Sequence, residues 1–149
     1  MKLIMTKQPG LTETEVEIRY AELNDDIRDL AHRIGQYDYF ISGTDSGRQY
    51  RIRIRDIYYA ESVDKKTFIY TRSEVFRCEL RLYQLLEKVG DFDFVQISKS
   101  CVVNINAIDC LQSLANSRLQ ATLSNGEKIN ISRTFLPQIK AAFVKGEGE

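Results

Sequence analysis

The stretch that most constrains this chain is residues 92–104, which read FDFVQISKSCVVN. Two short apolar runs flank the polar triplet Ser98, Lys99 and Ser100. Apolar runs of this length on either side of a few polar residues are typical of two neighbouring β-strands joined by a turn. The tip of such a hairpin can donate hydrogen bonds to phosphates or base edges, and an ordinary solvated turn is the alternative.

The second half of the chain repeats this pattern of short strands and turns. Strand-like segments are predicted at 56–61, 67–71, 72–77, 107–114, 118–123 and 128–132. The residues between the first two, SVDKK at 62–66, form a turn, and Asn125-Gly126 between the last two is a strong hairpin signal. Consecutive strands joined by short turns predict small antiparallel sheets.

Two helices are predicted among these strands. Leucine and valine recur at helical spacing across residues 82–89, and Gly90 follows as a stop. Near the end, Thr134 can cap a last helix whose first turn holds Pro137. Many short strands with few helices place this half in a mainly β, α+β fold class.

The first 48 residues form a small α/β extension in this prediction. Residues 2–6, 15–20 and 39–42 have strand-like patterns. Asn24 and the two following aspartates can cap a helix that ends at Gly35. The loop GTDSG at 43–47 lacks the lysine and hydroxyl of a phosphate-binding loop, so it is interpreted as a turn.

Three arginines recur at every second position after this extension. Arg51, Arg53 and Arg55 alternate with Ile52 and Ile54, which predicts a strand with one apolar face and one face of guanidinium groups. Such a face can be solvated and paired to acids or can contact DNA, and the alternation does not decide between them.

Charge and cysteine content narrow the function classes. Lys plus Arg and Asp plus Glu both number 21, so nucleic-acid binding requires a local basic patch. Three unpaired cysteines with the single His32 give no zinc set, so we expect neither a metal nor another cofactor. The cysteines read as small buried hydrophobes of a reducing compartment. Without an apolar run of about 18 residues or a secretory signal, we expect a cytoplasmic protein without membrane insertion.

Three blocks of the chain together resemble the LytTR DNA-binding domain family of bacterial regulators. They are RDIYYAES at 55–62, FDFVQISKSCVVNINAID at 92–109 and LSNGEKINISRTFLPQIK at 123–140, in the order of the family. The resemblance covers roughly residues 51–143. It implies an elongated arrangement of small antiparallel sheets whose loops, rather than a recognition helix, enter the major groove of double-stranded DNA.

Carried over position by position, the resemblance implies three DNA-binding loops and the asparagine that ends the central block. The implied residues are Lys65, Lys66, Thr67, Ser98, Lys99, Ser100, Asn104, Ser132, Arg133 and Thr134. The central triplet departs from the family, where histidine-arginine-serine is usual. Because Lys99 replaces an arginine, the bidentate geometry toward guanine is lost, and the preferred DNA sequence can differ from the family's.

These observations predict three parts and one leading function. Residues 1–48 are an extension for dimerisation or regulation, 49–145 the DNA-binding domain and 146–149 a disordered tail. The extension is too short for a receiver domain, so it can instead make a homodimer or bind a regulatory protein. The leading function is a sequence-specific transcription regulator, and the alternative is a protein-interaction module that does not bind DNA. We do not expect enzymatic activity, because Ser98 and Lys99 are neighbours at a strand end, so their side chains point apart and do not form a serine-lysine dyad.

Overall fold

The computed structural model describes residues 1–115 and 118–144. Within the chain, two compact units are distinguished, Met1–Gly35 and Gln36–Glu149. The predicted tail at 146–149 lies outside the described residues. None of the helices in the described parts of the chain is long and apolar enough to cross a membrane.

The first unit contains one helix, α1 (Asp25–Gly35). Its predicted cap is confirmed, because the Asn24 side-chain oxygen accepts a hydrogen bond from the Ile27 amide at 2.9 Å. The strands predicted at 2–6 and 15–20 are wrong, since neither segment has strand structure. Alternating side chains favour a strand only where the backbone finds an edge to pair with, and these residues remain largely exposed.

The second unit begins earlier than the predicted boundary after residue 48. Strand β1 (Phe40–Asp45) pairs along its whole length with β2 (Arg48–Arg53), so it belongs to the sheet of this unit. Residues 54–56 then form a short 3-10 helix. Arg55 therefore does not continue the strand face that the alternation of arginines predicted.

Seven antiparallel strands form the main sheet. The remaining five are β3 (Tyr59–Val63), β4 (Lys66–Tyr70), β5 (Val75–Cys78), β6 (Phe94–Ser98) and β7 (Cys101–Asn104). The order across the sheet is β2-β1-β5-β4-β3-β7-β6. Helix α2 (Leu82–Val89) follows the predicted helical spacing and buries Leu85 and Val89 in a core with Ile69, Phe76 and Val102.

A smaller sheet completes the second unit. It consists of β8 (Ile108–Leu114), β9 (Arg118–Leu123) and β10 (Lys128–Ile131) in the order β10-β9-β8. The hairpin predicted at Asn125-Gly126 is confirmed, and Gly126 adopts a φ of +87° that favours glycine. Strand residues of both sheets share one core with Ile139 of helix α3 (Leu136–Val144). The predicted mainly β fold of small antiparallel sheets is thus confirmed.

The three cysteines differ in their surroundings. Cys78 is buried, Cys101 is half-buried and Cys110 is exposed on the outer strand β8. The prediction that all three are buried is therefore wrong for Cys110. The pairing of β8 with β9 shifts register between Ile108 and Cys110, so Cys110 does not continue the buried face on which Ile108 lies.

Candidate nucleic-acid interface

The three loops implied by the resemblance meet at one edge of the molecule. The Ser62 amide at the end of β3 donates to the Ser100 carbonyl at 2.8 Å, which joins the first loop to the central one. The Ser132 amide donates to the Ile97 carbonyl at 2.9 Å, which joins the third loop to the central one. The central loop, with Lys99 at its tip, therefore lies between the other two.

The central tip is held by its own short contacts. The Ser100 amide donates to the Ser98 hydroxyl oxygen at 3.2 Å. The pairing of β6 with β7 shifts register between Gln96 and Ser98, and such a bulge re-aims the residues that follow it. Lys99 is exposed, so its ammonium group is the cation that this tip offers to a ligand.

The first loop is a tight turn with two residues in the left-handed region. Asp64 and Lys65 have φ values of 51° and 65°, the geometry of a type I′ hairpin turn. Lys65 and Lys66 are exposed. The Arg81 guanidinium donates to the Lys65 carbonyl at 3.3 Å and adds a third cation to this loop. Sequence reasoning missed Arg81, because only the fold brings residues 16 positions apart together here.

The third loop leads from β10 into helix α3. Ser132, Arg133 and Thr134 are exposed, and residues 133–135 form a short 3-10 helix before the helix proper. Arg118 is exposed at the start of β9, where the adjacent Leu119 pairs with Ile131. This register places Arg118 beside the third loop. It too was missed from the sequence, since it depends on strand pairing.

Two residues of the implied DNA-binding set are buried, and the structure corrects the prediction for both. Thr67 is 2% exposed within β4. Asn104 is 4% exposed, its side-chain amide donates to the Ile57 carbonyl at 2.9 Å, and its side-chain oxygen accepts from the Asn106 amide at 3.0 Å. A buried amide that is bonded to the backbone through both of its groups fixes the chain locally and is not presented to a base.

A cluster of hydroxyl and carboxyl groups ties the small sheet to the main sheet. The Tyr59 hydroxyl donates to Glu127 at 2.6 Å, and the Tyr59 and Tyr70 rings stack with centroids 4.2 Å apart. Burial, with the hydrogen bond to Glu61, raises the pKa of Tyr70 to about 12. Burial and the hydrogen bond to Glu127 raise the pKa of Tyr59 further. Both hydroxyls therefore stay protonated and keep their carboxylate partners.

The cationic edge stands out in a chain with no net charge. Its exposed cationic residues are Lys65, Lys66, Arg81, Lys99, Arg118 and Arg133. The three loops, residues 62–66, 98–100 and 132–134, contain one carboxylate, that of Asp64. Because interactions between exposed charges fade beyond about 8 Å at physiological salt, a nearby phosphate senses this local excess and not the neutral total. The edge therefore has the charge of a surface that contacts phosphates.

The chain is similar to a known DNA-binding domain family and to proteins described as transcriptional regulators. The model of the LytTr DNA-binding domain family matches residues 47–144. An uncharacterized HTH-type transcriptional regulator of Staphylococcus aureus (strain bovine RF122 / ET3-1) is 28% identical over 142 residues, which cover 94% of this chain and 96% of the relative. A regulator with the same description from strain MRSA252 is likewise 28% identical with the same coverage.

A solved structure shows the same fold. It is the LytTr DNA-binding domain of a protein described as a methyl-accepting/DNA response regulator from Bacillus cereus, with a TM-score of 0.65 and 17% identity. The match covers 70% of this chain and 95% of the solved chain. Strands separate the three helices in the described part of this chain, so that part holds no helix pair joined by a short turn.

Proposed function

This chain belongs to the LytTr DNA-binding domain family and is a DNA-binding transcription regulator, and we propose that it reads the major groove with three adjacent loops. The observation that carries the proposal is a pair of backbone hydrogen bonds, from Ser62 to Ser100 and from Ser132 to Ile97, which bring the three loops to one edge. Loops at one edge can follow a groove together, whereas scattered loops cannot. We propose Lys65, Lys66, Ser98, Lys99 and Ser100 as contacts of the first two loops.

The third loop and its neighbours complete the proposed interface. Ser132, Arg133 and Thr134 contribute exposed hydroxyl and guanidinium groups, and Arg81 and Arg118 add positive charge on either side. Arginine can donate two hydrogen bonds to guanine or to one phosphate, whereas Lys99 is a single point donor. In this proposal the arginines set orientation on the duplex, and the central tip contributes a more adaptable contact.

A fluorescence-anisotropy titration tests this function directly. The labelled duplexes are the upstream promoter of the gene itself and a scrambled sequence of equal length and composition, each at two salt concentrations. We expect tighter binding to the promoter and a salt dependence that corresponds to roughly 3 to 6 phosphates neutralised per protomer. Equal affinity for both duplexes would refute sequence-specific reading at this promoter. A folded chain that binds neither duplex would favour the protein-interaction module.

We further propose that the regulator is a homodimer joined through helix α1. The helix buries none of its residues within the chain, although Ile27, Leu30 and Ile34 form an apolar stripe along it. Its first turn holds Asp25 and Asp26, and its last turn holds His32 and Arg33. An antiparallel pair of such helices buries both stripes and sets each acidic turn against the basic turn of the partner.

Sedimentation equilibrium of the full chain tests this dimer. Leu30→Glu places a carboxylate in the apolar stripe and is expected to give monomers at concentrations where the unaltered chain is dimeric. Val16→Glu makes a comparable change at an exposed site of the same unit outside the helix and is the matched control. If the unaltered chain is monomeric, the dimer is contradicted, and a regulatory protein is then the partner expected to cover the apolar stripe of α1. A dimer also suits paired half-sites on bacterial DNA, which the protein meets in the cytoplasm.

A further inference from the structure

A cavity of about 650 Å³ lies at the ends of the main-sheet strands that are opposite to the proposed DNA loops. Its wall includes Tyr58, which precedes β3, the segment 71–74 after β4, and Asn104 at the end of β7. The loops Lys65–Lys66 and Ser98–Ser100 lie at the other ends of these same strands. A five-residue strand is about 16 Å long, so a duplex on the loops does not cover the cavity.

Four arginines from two parts of the chain contribute to the wall of the cavity. Arg51, Arg53 and Arg55 come from β2 and the short 3-10 helix, and Arg72 comes from the turn after β4. Arg53 pairs with Asp38. Within the described residues, none of the other three makes an ion pair with a carboxylate. Arg51 follows Tyr50 on the regular strand β2, so the two side chains point to opposite faces of the sheet. Arg55 and Arg72 are therefore the cations that can meet an anion in the concave wall together with Tyr50.

Aromatic contacts hold two of these arginines in place. The Arg51 guanidinium lies 3.9 Å from the centroid of the Phe40 ring, and that of Arg55 lies 3.8 Å from the Tyr37 ring. Stacking engages the face of a guanidinium, and Arg55 also donates one N–H to the Tyr37 carbonyl at 3.4 Å, so its remaining N–H groups are left for an anion. Arg72 donates to the Tyr58 hydroxyl at 3.2 Å and is positioned by that bond. The cations are therefore pre-arranged, which lowers the cost of binding an anion.

Part of the wall suits a planar ring. Tyr50 is 36% exposed and packs against Phe76 with centroids 5.1 Å apart, so an aromatic surface lines the same cavity. The volume lies within the range of about 300–1,000 Å³ that small-molecule sites occupy. Asp56 and Glu74 also line the wall, so the cavity carries both charges with an excess of arginine. A ligand that fits has a concentrated negative charge and an aromatic part.

We propose that this cavity binds a nucleoside diphosphate or a molecule of the same chemistry. The diphosphate lies against Arg55 and Arg72, and the ring lies against Tyr50. Guanidinium groups match phosphate oxygens in geometry as well as in charge. The site is separate from the DNA loops and does not depend on DNA binding.

Isothermal titration calorimetry of the full chain in magnesium-free buffer tests the proposal with ADP, inorganic pyrophosphate and adenosine. We expect ADP to bind at least about tenfold more tightly than adenosine, because adenosine lacks the phosphates that accept charge-assisted hydrogen bonds from the arginines. No detectable binding of ADP, or equal binding of ADP and adenosine, would overturn the site. Pyrophosphate that binds as tightly as ADP would overturn the role of the aromatic wall.

Three arginine variants locate the binding in the cavity. Arg55→Gln and Arg72→Gln are each expected to weaken ADP binding by at least about tenfold. Arg48→Gln, an exposed change at the other end of β2 and outside the cavity wall, is the matched control and is expected to leave it unchanged. Thermal melts verify that all three fold. Equal ADP affinity of the three folded variants would place any ADP elsewhere and refute the assignment.

Discussion

Lys99→Ala is the sharpest test of the proposed DNA interface. Two hydrogen bonds hold the tip: the Ser62 amide donates to the Ser100 carbonyl, and the Ser100 amide donates to the Ser98 hydroxyl oxygen. Neither bond uses the Lys99 side chain. The substitution therefore removes one exposed cation and leaves the tip intact. A contact to a base edge is worth about 1–3 kcal/mol, so affinity for the promoter should fall by about 5- to 160-fold.

The salt dependence separates the two kinds of contact that Lys99 can make. If the ammonium group binds a phosphate, the slope of log K against log salt decreases in magnitude by about 0.9 and all sequences lose affinity alike. If it binds a base, the promoter loses more affinity than the scrambled duplex. Anisotropy titrations at several salt concentrations measure both quantities.

Lys88→Ala is the matched control, since Lys88 is exposed in the last turn of α2, away from the helix end next to Arg81. A Lys99→Ala protein that melts like the unaltered chain and keeps its affinity within twofold, with the same salt slope, would place Lys99 outside the interface. A Lys88→Ala protein that loses as much affinity as Lys99→Ala would refute a local role for the tip.

Three further predictions concern stability and reactivity. Leu85→Ala should lower the free energy of unfolding in urea by about 2–5 kcal/mol, because the side chain is 1% exposed, while Tyr83→Ala at 65% exposure should change it by less than about 1 kcal/mol. The pKa of Tyr70 is raised to about 12 in the folded chain, so between about pH 10 and 12 this tyrosine ionises only in the unfolded chain. The free energy of unfolding should therefore fall as the pH rises through this range. Urea denaturation measures this fall, which should be shallower for Tyr70→Phe. Burial raises the pKa of the Cys101 thiol to about 12, so a disulfide reagent should label exposed Cys110 well before Cys101, and equal labelling rates would contradict this.

Local patterns predicted the elements whose stabilising contacts are close in sequence. Helix α2 follows from its apolar spacing, the cap of α1 from Asn24, and the last hairpin from Asn125-Gly126. The strand pattern at 15–20 failed for a physical reason. A helix makes its backbone hydrogen bonds within itself, but a strand needs a partner, and no alternation of side chains reveals whether a partner exists.

The sequence predicted the loop-tip residues of the candidate site but not the residues that flank the loops. Lys65, Lys99 and Arg133 lie at turns that the sequence marks, and the resemblance selected those turns. Arg81 and Arg118 reach the same edge through a contact to the Lys65 carbonyl and through the register of β9 with β10. The buried position of Asn104 is likewise set by the Ile57 carbonyl, a partner 47 residues earlier. These are consequences of tertiary pairing, which spacing along the chain does not encode.

The separation of charge within the second unit explains how a neutral chain can bind DNA. The fold brings six exposed cationic residues, Lys99 among them, to one edge. Glu61 and Glu127 accept hydrogen bonds from Tyr70 and Tyr59. Each of these carboxylates is therefore engaged with a protonated hydroxyl. Removing Glu127 from its bond to Tyr59 would loosen the small sheet that presents Arg133 and Arg118. In the proposed interface, Glu127 thus contributes indirectly, because its bond to Tyr59 helps to hold the small sheet that carries the third loop.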